Sequence, residues 1–195
     1  MGLRDILTGR HEVKGPAPDR LFAISTAYVT LESEHQILPD GTAAVVFQAL
    51  ATSEFETTMH EMEEVVTATG GESGTQVSTE DDSYGYRWMV LRNAPGTPSV
   101  EDLAVGINAV SSSIETAGHG ERLLCAVFAF SDARKRRVYF IYNYKRGYWY
   151  PFVPDPDKPQ ERSTERELQI KAQMSGELPM EPELERWFPL WGIPI

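Results

Sequence analysis

The spacing of apolar residues predicts an amphipathic helix in the second quarter of the chain. Four apolar residues recur there every three or four positions and fall on one side of a helix: Phe55, Met59, Met62 and Val66. Ser53 and Glu56 have the spacing of a capping box, which satisfies free amides in the first helical turn. Gly70 and Gly71 end the pattern, because glycine readily adopts the left-handed conformation at a helix C-terminus. The other side of this helix is acidic and carries Glu54, Glu61 and Glu64.

Similar periodicity predicts further helices elsewhere. Residues 100–117 follow Ser99, a candidate N-cap. Another helix starts at Thr164, with Glu167 three residues later as a second candidate capping box. Apolar side chains one turn apart also predict a short helix at residues 3–7.

Apolar stretches bounded by turn residues predict six strands, at residues 27–31, 43–49, 75–79, 84–92, 123–130 and 137–145. The turn-forming tripeptide Pro39-Asp40-Gly41 predicts that the first two form a hairpin with a long loop. Neighbouring strands joined by short loops favour antiparallel pairing. The order of elements therefore predicts an α+β fold, with an antiparallel sheet and helices packed mainly on one face.

Aromatic residues occupy eight of the fourteen positions from 139 to 152. A strand turns only alternate side chains to one face, so the remaining rings need a second layer. We expect a bend at Gly147 and expect the apolar residues 187–195 to lie on the sheet. The chain is accordingly divided into an N-terminal helix and linker (1–18), an α+β core domain (19–152), and a Pro-rich connector with a C-terminal helical arm docked on the core (153–195).

Charge is distributed unevenly along the chain. Of the formal net charge of −11, residues 1–100 carry −9 and residues 101–195 carry −2. Twelve carboxylates and no Lys or Arg lie between Arg20 and Arg87. Such a field repels nucleic acids and anionic lipids and favours a partner with a basic surface. We therefore expect a protein partner and no nucleic acid.

Hydrophobic stretches in this sequence are short. The longest strictly apolar run has eight residues, 123–130, far fewer than the ~20 needed to span a bilayer. No N-terminal apolar region resembles a signal peptide. The sequence therefore predicts a cytoplasmic protein without an integral membrane segment, which comes close to a membrane only through a partner.

Candidate catalytic and metal-binding residues do not form a recognisable motif. His60-Glu61 begins like a zinc-protease helix, but Glu64 stands where the second histidine belongs. Cys125 lies in an apolar strand without the cationic neighbours that activate a thiol. We expect no catalytic residue, no cofactor and no metal, and hence a protein that is not an enzyme.

Several stretches resemble the family of the PspA-associated protein PspAB. The matching stretches include residues 1–10, 19–24, 81–88 and 123–128. The most specific is the aromatic string Tyr144-Lys145-Arg146-Gly147-Tyr148-Trp149-Tyr150-Pro151-Phe152. A second is Glu185-Arg186-Trp187-Phe188-Pro189-Leu190-Trp191-Gly192. The likeness covers nearly the whole chain.

The resemblance implies a cytoplasmic component linked to phage-shock-type envelope-stress proteins. It further implies an association with a PspA-like coiled-coil protein or with the membrane metalloprotease HtpX. It supplies no catalytic residues to carry over. The order of elements is also loosely similar to the helix-sheet-helix folds of secretion-chaperone and YbjN-like domains, although fold does not fix function.

The leading hypothesis is a non-enzymatic adaptor that binds a PspA-like protein or an HtpX-type protease. Its candidate contact residues are three carboxylates and the exposed members of three aromatic rings: Glu54, Glu61, Glu64, Tyr148, Trp149 and Tyr150. One alternative is a small-ligand-binding protein or enzyme with a pocket under the Pro-rich connector, where Arg87, Tyr144 and Lys145 are candidates for holding an anion. A further alternative is a chaperone-like dimer.

Overall fold

The computed structural model describes residues 18–70 and 74–195 of the 195-residue chain. Its helices are α1 (Pro18–Phe22), α2 (Ile24–His35), α3 (Ser53–Gly70), α4 (Val100–Thr116) and α5 (Thr164–Met174). Its strands are β1 (Leu38–Gln48), β2 (Gln76–Asp81), β3 (Tyr86–Arg92), β4 (Leu123–Ser131), β5 (Arg137–Asn143) and β6 (Tyr148–Phe152). Two short 3₁₀ helices span Gly120–Arg122 and Leu184–Arg186. The helix predicted at residues 3–7 lies outside the described residues, and the three-part division of the chain stays a prediction.

All six strands belong to one antiparallel sheet with the order β2-β3-β1-β4-β5-β6. The central strand β1 pairs on both sides, so that Val45 lies opposite Met89 of β3 and Ala126 of β4. Helices pack on this sheet, which confirms the predicted α+β class with antiparallel strands.

The five helices contribute to one core on the same face of the sheet, called here the helix face. Each helix buries at least one apolar residue in that core, from Leu21 and Ile24 through Phe55 and Ile107 to Ile170. This placement agrees with the expectation that helices gather on one face.

Helix α4 lies close against the sheet because it carries a glycine where it crosses β3. A methyl group built on Gly106 would lie only 2.3 Å from Cδ2 of Leu91. A larger residue there would force the helix and the strand apart. The sequence correctly predicts the start of this helix, since the Ser99 side chain accepts a hydrogen bond from the Asp102 amide at 3.1 Å.

The prediction of a strand at residues 27–31 is wrong, because these residues lie inside α2. Val29 and its β-branched neighbour Thr30 favour strands, but packing decides here. The buried residues Ile24, Ala27 and Leu31 follow helical spacing and face the helix-face core. Tertiary burial therefore overrides local strand preference.

Pro39, Asp40 and Gly41 do not form the predicted hairpin turn. They lie within β1, where the pairing with β4 shifts register between Pro39 and Thr42. Gly41 has a φ of +69°, a conformation that glycine adopts without strain. The tripeptide thus forms an irregularity within a long strand, and the chain passes directly from α2 into β1.

Strand β6 lies at the edge of the sheet, which accommodates Pro151 and its missing amide hydrogen. Residues 179–181, which precede the tail described below, pair with this edge. The Trp149 amide donates to the Pro179 carbonyl at 2.9 Å, and the Glu181 amide donates to the Trp149 carbonyl at 2.7 Å. This pairing protects backbone groups that would otherwise be open to another chain.

The opposite face of the sheet is covered by residues 187–195, called here the tail, and we name that face the tail face. The Tyr139 hydroxyl donates to the Ile195 carbonyl at 2.7 Å, and the Tyr150 hydroxyl donates to the Phe188 carbonyl at 3.1 Å. Trp187 stacks on Tyr150 with ring centroids 6.1 Å apart. The tail therefore supplies the second layer that the aromatic run requires.

Capping at two helices differs from the sequence prediction. Thr52, and not Ser53, accepts a hydrogen bond from the Phe55 amide at 3.3 Å at the start of α3. Glu167 does not close a capping box with Thr164. Its buried carboxylate instead accepts hydrogen bonds from the Val153 amide at 2.8 Å and from Arg162.

Candidate functional site

The helices α2, α3 and α4 form an acidic layer outside the helix-face core. They contain two, five and three carboxylates respectively, and none of them contains a Lys or an Arg. Elsewhere in the described residues several carboxylates pair with arginines, as in Asp132 with Arg136 and Glu181 with Arg146. Within the layer, Glu56 alone among the described carboxylates pairs with an arginine, Arg87 of β3. The acidic layer therefore concentrates negative charge on one side of the molecule.

Within α3, Glu56 and Glu64 are exposed and Glu63 is half-buried. The Glu64 side chain is 70% exposed, and its Oε1 lies 3.4 Å from Nε2 of His60 one turn earlier. The backbone places Glu54 and Glu61 in the same helix, but their side chains lie outside the described part of the structure. The role of all three in binding a partner stays a prediction.

Arg87, a candidate for holding an anion, is occupied within the protein. Its guanidinium contacts Glu56 of α3 at 2.8 Å and Asp81 of β2 at 2.7 Å. These partners raise the pKa of Arg87, and Arg87 lowers the pKa of Asp81. The contacts tie α3 to the β2–β3 hairpin and leave little of this cation for a ligand.

The three rings proposed as partner contacts lie in different environments. Trp149 is fully buried on the helix face, and its indole N–H donates to the Arg20 carbonyl at 2.7 Å. Tyr150 is buried on the tail face. Tyr148 is half-buried, with the Arg20 guanidinium 4.9 Å above its ring. Of the three rings only Tyr148 is partly exposed, and its role in binding a partner stays a prediction.

A cavity of about 440 Å³ lies between the tail and the sheet, and we call it the tail cavity. Its sheet side includes Val46, Trp88 and Cys125, and its tail side includes Phe188, Leu190 and Trp191. The tips of two hairpins close its ends: Asp82, Tyr84 and Tyr86 on one side, and Asn143 and Lys145 on the other. This cavity lies under the tail and not under the Pro-rich connector, where the sequence alternative placed a pocket.

Asp82 organises one end of the tail cavity through hydrogen bonds that occupy both carboxylate oxygens. Oδ1 accepts from the amides of Tyr84 and Tyr86 at 2.8 and 2.9 Å, and Oδ2 accepts from the Trp88 indole N–H at 2.9 Å. The carboxylate thus fixes the β2–β3 turn and the orientation of the Trp88 ring.

Of the three candidates for holding an anion, only Lys145 lines the tail cavity. Tyr144 lies on the helix face, where burial raises the pKa of its hydroxyl. Lys145 is exposed, and within the described residues its ammonium makes no hydrogen bond or ion pair. Its backbone amide donates to Oδ1 of Asn143 at 3.0 Å.

Comparison with known proteins assigns the family. The family model of PspAB, PspA associated protein B, matches residues 1–195. The chain belongs to the PspAB family. The match supports association of this chain with a PspA system. No curated protein and no solved structure matches the chain, so the finer likeness to secretion-chaperone and YbjN-like folds stays a prediction.

Sequence reasoning missed three exposed rings at the rim of the tail cavity in this PspAB chain. Tyr84 is 57% exposed, Tyr86 is 38% exposed and Phe188 is 57% exposed. A signal was present, because Tyr84 and Tyr86 flank Gly85 at an otherwise polar hairpin tip. Exposed aromatic side chains that border a concave surface are typical of binding sites.

Three further findings concern the thiol, possible metal ligands and possible membrane spans in the described residues. Burial raises the pKa of the Cys125 thiol to about 12, so the thiol is protonated at neutral pH. Residues 18–70 and 74–195 contain no group of three or more His, Cys, Asp or Glu placed to hold a metal ion. Across the same residues, no helix is both long and apolar enough to cross a membrane.

Proposed function

We propose that this PspAB-family protein is a non-catalytic adaptor of a PspA-type envelope-stress system. It binds a protein partner that presents a basic surface, and it does so through the acidic layer formed by α2, α3 and α4. The observation that carries the proposal is the composition of these helices, with ten carboxylates and no Lys or Arg.

Electrostatics supports a partner of this kind. Like charges held together on one surface raise the local potential and steer a partner of opposite sign toward that surface. Exposed carboxylates occur in every helix of the layer, for example Glu32 in α2, Glu64 in α3 and Glu101 in α4. The pKa of Tyr28 is raised first by a hydrogen bond with Glu101, then by burial and by the charges of Glu101 and Glu32.

The absence of catalysis is part of the proposal and rests on the state of the reactive groups. The protonated Cys125 thiol is a poor nucleophile. The strongest charged pairs join structural elements: Arg87 links α3 to the β2–β3 hairpin, and Arg146 binds Glu181 beside the edge strand. The charges of Arg87 and Arg146 are therefore explained by a structural role, without catalysis.

The choice of partner is supported by the family, whose description is PspA associated protein B. We propose a PspA-like coiled-coil protein as the first partner to test, with an HtpX-type membrane protease as the second. Either partner would need a basic surface to match the acidic layer.

The experiment is a binding measurement between the purified chain and the PspA-like protein. The double variant Glu61→Lys with Glu64→Lys reverses charge within α3. The matched control, Asp157→Lys with Glu185→Lys, makes the same charge change at exposed C-terminal positions. We expect the α3 variant to bind at least about tenfold more weakly and the control to bind like the parent, because steering depends on local charge.

Salt provides a second measurement. Raising the ionic strength from about 0.05 to 0.15 M shortens the screening length, so binding of the parent should weaken. Equal binding by both double variants would contradict a role for the acidic layer. Lack of binding to the PspA-like protein, together with salt-sensitive binding to the HtpX-type protease, would move the proposal to the second partner.

A further inference from the structure

We propose that the tail cavity binds a small apolar carboxylate whose anionic group pairs with Lys145. This site is separate from the acidic layer, because it lies on the opposite face of the sheet. It adds a small-molecule ligand to a protein whose proposed function is to bind another protein.

The size of the tail cavity suits a small molecule. Its volume of about 440 Å³ falls in the range of roughly 300 to 1,000 Å³ that is usual for ligand sites. At about 30 Å³ per molecule of liquid water, the same space holds roughly fifteen waters. A ligand would return many of these waters to the bulk.

The walls of the cavity favour an apolar body. On the sheet side they are formed by Val46, Trp88 and the neutral thiol of Cys125, and on the tail side by Phe188, Leu190 and Trp191. Transfer of an apolar group from water to such walls is favourable in proportion to the area removed from water. Most of the binding free energy would come from this contact.

The polar groups at the cavity select the sign of the ligand. Asp82 has both oxygens occupied by N–H donors of its own hairpin. At the other end, Lys145 has no ion-pair partner within the described residues. Asn143 Oδ1 accepts a hydrogen bond from the Lys145 backbone amide, so the side-chain N–H groups of Asn143 point away from that amide. The unpaired ammonium of Lys145 therefore marks this end of the cavity as the place for an anionic oxygen ligand, whereas the Asp82 carboxylate lies at the other end.

Lys145 also differs from the arginines of the same region. Arg87, Arg146 and Arg162 each contact a carboxylate of this chain within 2.9 Å. Carboxylates are abundant in the chain, yet none of the described ones pairs with Lys145, so its ammonium is available for an external anion. The acidic layer lies across the sheet from this cavity, and exposed charges farther apart than about 8 to 10 Å are largely screened in physiological salt.

The test uses decanoate and two ligands with the same chain but another head group, decanol and decylammonium. Binding to the full chain is followed by calorimetry and by the fluorescence of Trp88 and Trp191, which line the cavity. We expect saturable binding of one decanoate per chain, with decanol bound about fivefold more weakly, the contribution of one partly exposed ion pair. Decylammonium should bind more weakly still.

Two variants locate the site. Lys145→Gln should weaken decanoate to the level of decanol and leave decanol unchanged. The matched control Arg134→Gln removes an exposed turn cation that makes no ion pair among the described residues, and it should behave like the parent. Leu124→Trp fills the cavity from the sheet and should abolish binding of all three ligands. If that variant fails to fold, Leu190→Trp fills the cavity from the tail.

The proposal is overturned if decanol binds as tightly as decanoate to the parent, or if Lys145→Gln leaves the preference intact. It is also overturned if neither cavity-filling variant that folds reduces binding. Occupation of the cavity by a side chain of the PspA-like protein, shown by loss of that complex in Leu124→Trp without any decanoate binding, would replace it. Because the acidic layer is untouched in these variants, failure here leaves the adaptor proposal standing.

Discussion

The two faces of the sheet are covered in different ways. The helix face is closed by five helices whose buried residues repeat with the period of the helix, and Gly106 allows α4 to pack directly on Leu91. The tail face is closed by an irregular segment, anchored by hydrogen bonds from Tyr139 and Tyr150 to tail carbonyls. The helix face holds a small pocket of about 30 Å³ beside Leu21, Tyr142 and Tyr144, whereas the irregular tail leaves a cavity of about 440 Å³. From this contrast we expect the helix face to contribute most of the stability and the tail face to provide the space for a ligand.

The largest expected effect tests where stability resides. Trp149→Ala removes a fully buried ring from the helix face together with its hydrogen bond to the Arg20 carbonyl. We expect a loss of about 3 to 5 kcal/mol in the free energy of unfolding, as for other large-to-Ala changes in a core. Urea denaturation followed by circular dichroism measures it.

The matched change on the tail face is Trp191→Ala. This ring is half-buried and meets Phe152 edge to face, with centroids 5.2 Å apart. We expect a smaller loss, of about 1 kcal/mol, because less area returns to water. A loss equal to that of Trp149→Ala would contradict the proposed division between the faces.

A second prediction concerns Arg162, which joins α5 to the start of the tail. Its Nε lies 2.8 Å from Oε2 of Glu167, and Nη1 donates to the Trp187 carbonyl at 2.6 Å. Arg162→Ala leaves the Glu167 carboxylate buried without its cation, and we expect a loss of about 3 kcal/mol in stability at pH 7.

The control for Arg162→Ala replaces the buried Glu167 carboxylate with an uncharged side chain. Burial already raises the pKa of Glu167, so Glu167→Gln in the Arg162→Ala background removes an unfavourable charge and should recover part of the loss. Thermal unfolding of the single and double variants measures the recovery. A double variant less stable than Arg162→Ala would show that the buried charge is not the cause.

The sequence predicted most helices and strands of the sheet and its helix face, but not the contacts of the tail. The apolar period located α3, α4 and α5, and apolar runs located the five strands β1 to β5, since these signals are local. Of the predicted N-terminal caps only Ser99 of α4 is correct, and β6 was not predicted as a strand, because only a bend at Gly147 was expected there.

The strand prediction at residues 27–31 was wrong because Val29 and Thr30 favour strands locally. The helical spacing of Ile24, Ala27 and Leu31 becomes visible only over a longer stretch. The hairpin turn predicted at Pro39-Asp40-Gly41 was wrong because the same residue types occur in turns and in irregular positions within a strand.

The candidate site was less predictable for a physical reason. Lys145 was among the candidates for holding an anion, but nothing local separates it from Arg87, whose charge is used by Glu56 and Asp81. The tail cavity depends on contacts between positions far apart in the chain, such as Tyr150 with the Phe188 carbonyl. A backbone carbonyl is present at every residue, so the sequence carries no mark of which one a tyrosine will reach.

A third prediction uses pH to examine the edge of the sheet. Arg146 lowers the pKa of the buried Glu181. As the pH falls, the unfolded chain therefore binds a proton at Glu181 at a higher pH than the folded chain does. This contribution to stability is present above the ordinary Glu value of 4.5 and is lost as the pH falls through the lowered value. Arg146→Gln should therefore lower stability at pH 7 and reduce the loss between pH 7 and pH 3.

Urea denaturation at both pH values measures that difference. Arg134→Gln, which removes an exposed cation of the β4–β5 turn, serves as the control and should keep the full pH dependence. An unchanged pH dependence in Arg146→Gln would show that the acid sensitivity comes from other carboxylates, such as Asp81 and Asp132, whose pKa values are also lowered.

The smallest expected effect compares one anchor from each face. Tyr139→Phe removes the hydroxyl that donates to the Ile195 carbonyl, and Ser99→Ala removes the cap that accepts the Asp102 amide of α4. Each should cost about 1 kcal/mol in the free energy of unfolding, the usual net value of a single hydrogen bond or helix cap. The two variants should nevertheless differ in hydrogen exchange.

Ser99→Ala should speed exchange throughout the molecule, because α4 is part of the helix-face core that opens only on global unfolding. Tyr139→Phe should instead speed exchange of tail amides beyond what global stability requires, because release of Ile195 frees a segment with no helix or strand of its own. Equal profiles in the two variants would mean that the tail unfolds only together with the core. In that case the tail cavity would be a fixed feature of the fold, and a ligand would have to enter it between the exposed rings of Tyr84 and Phe188 without displacement of the tail.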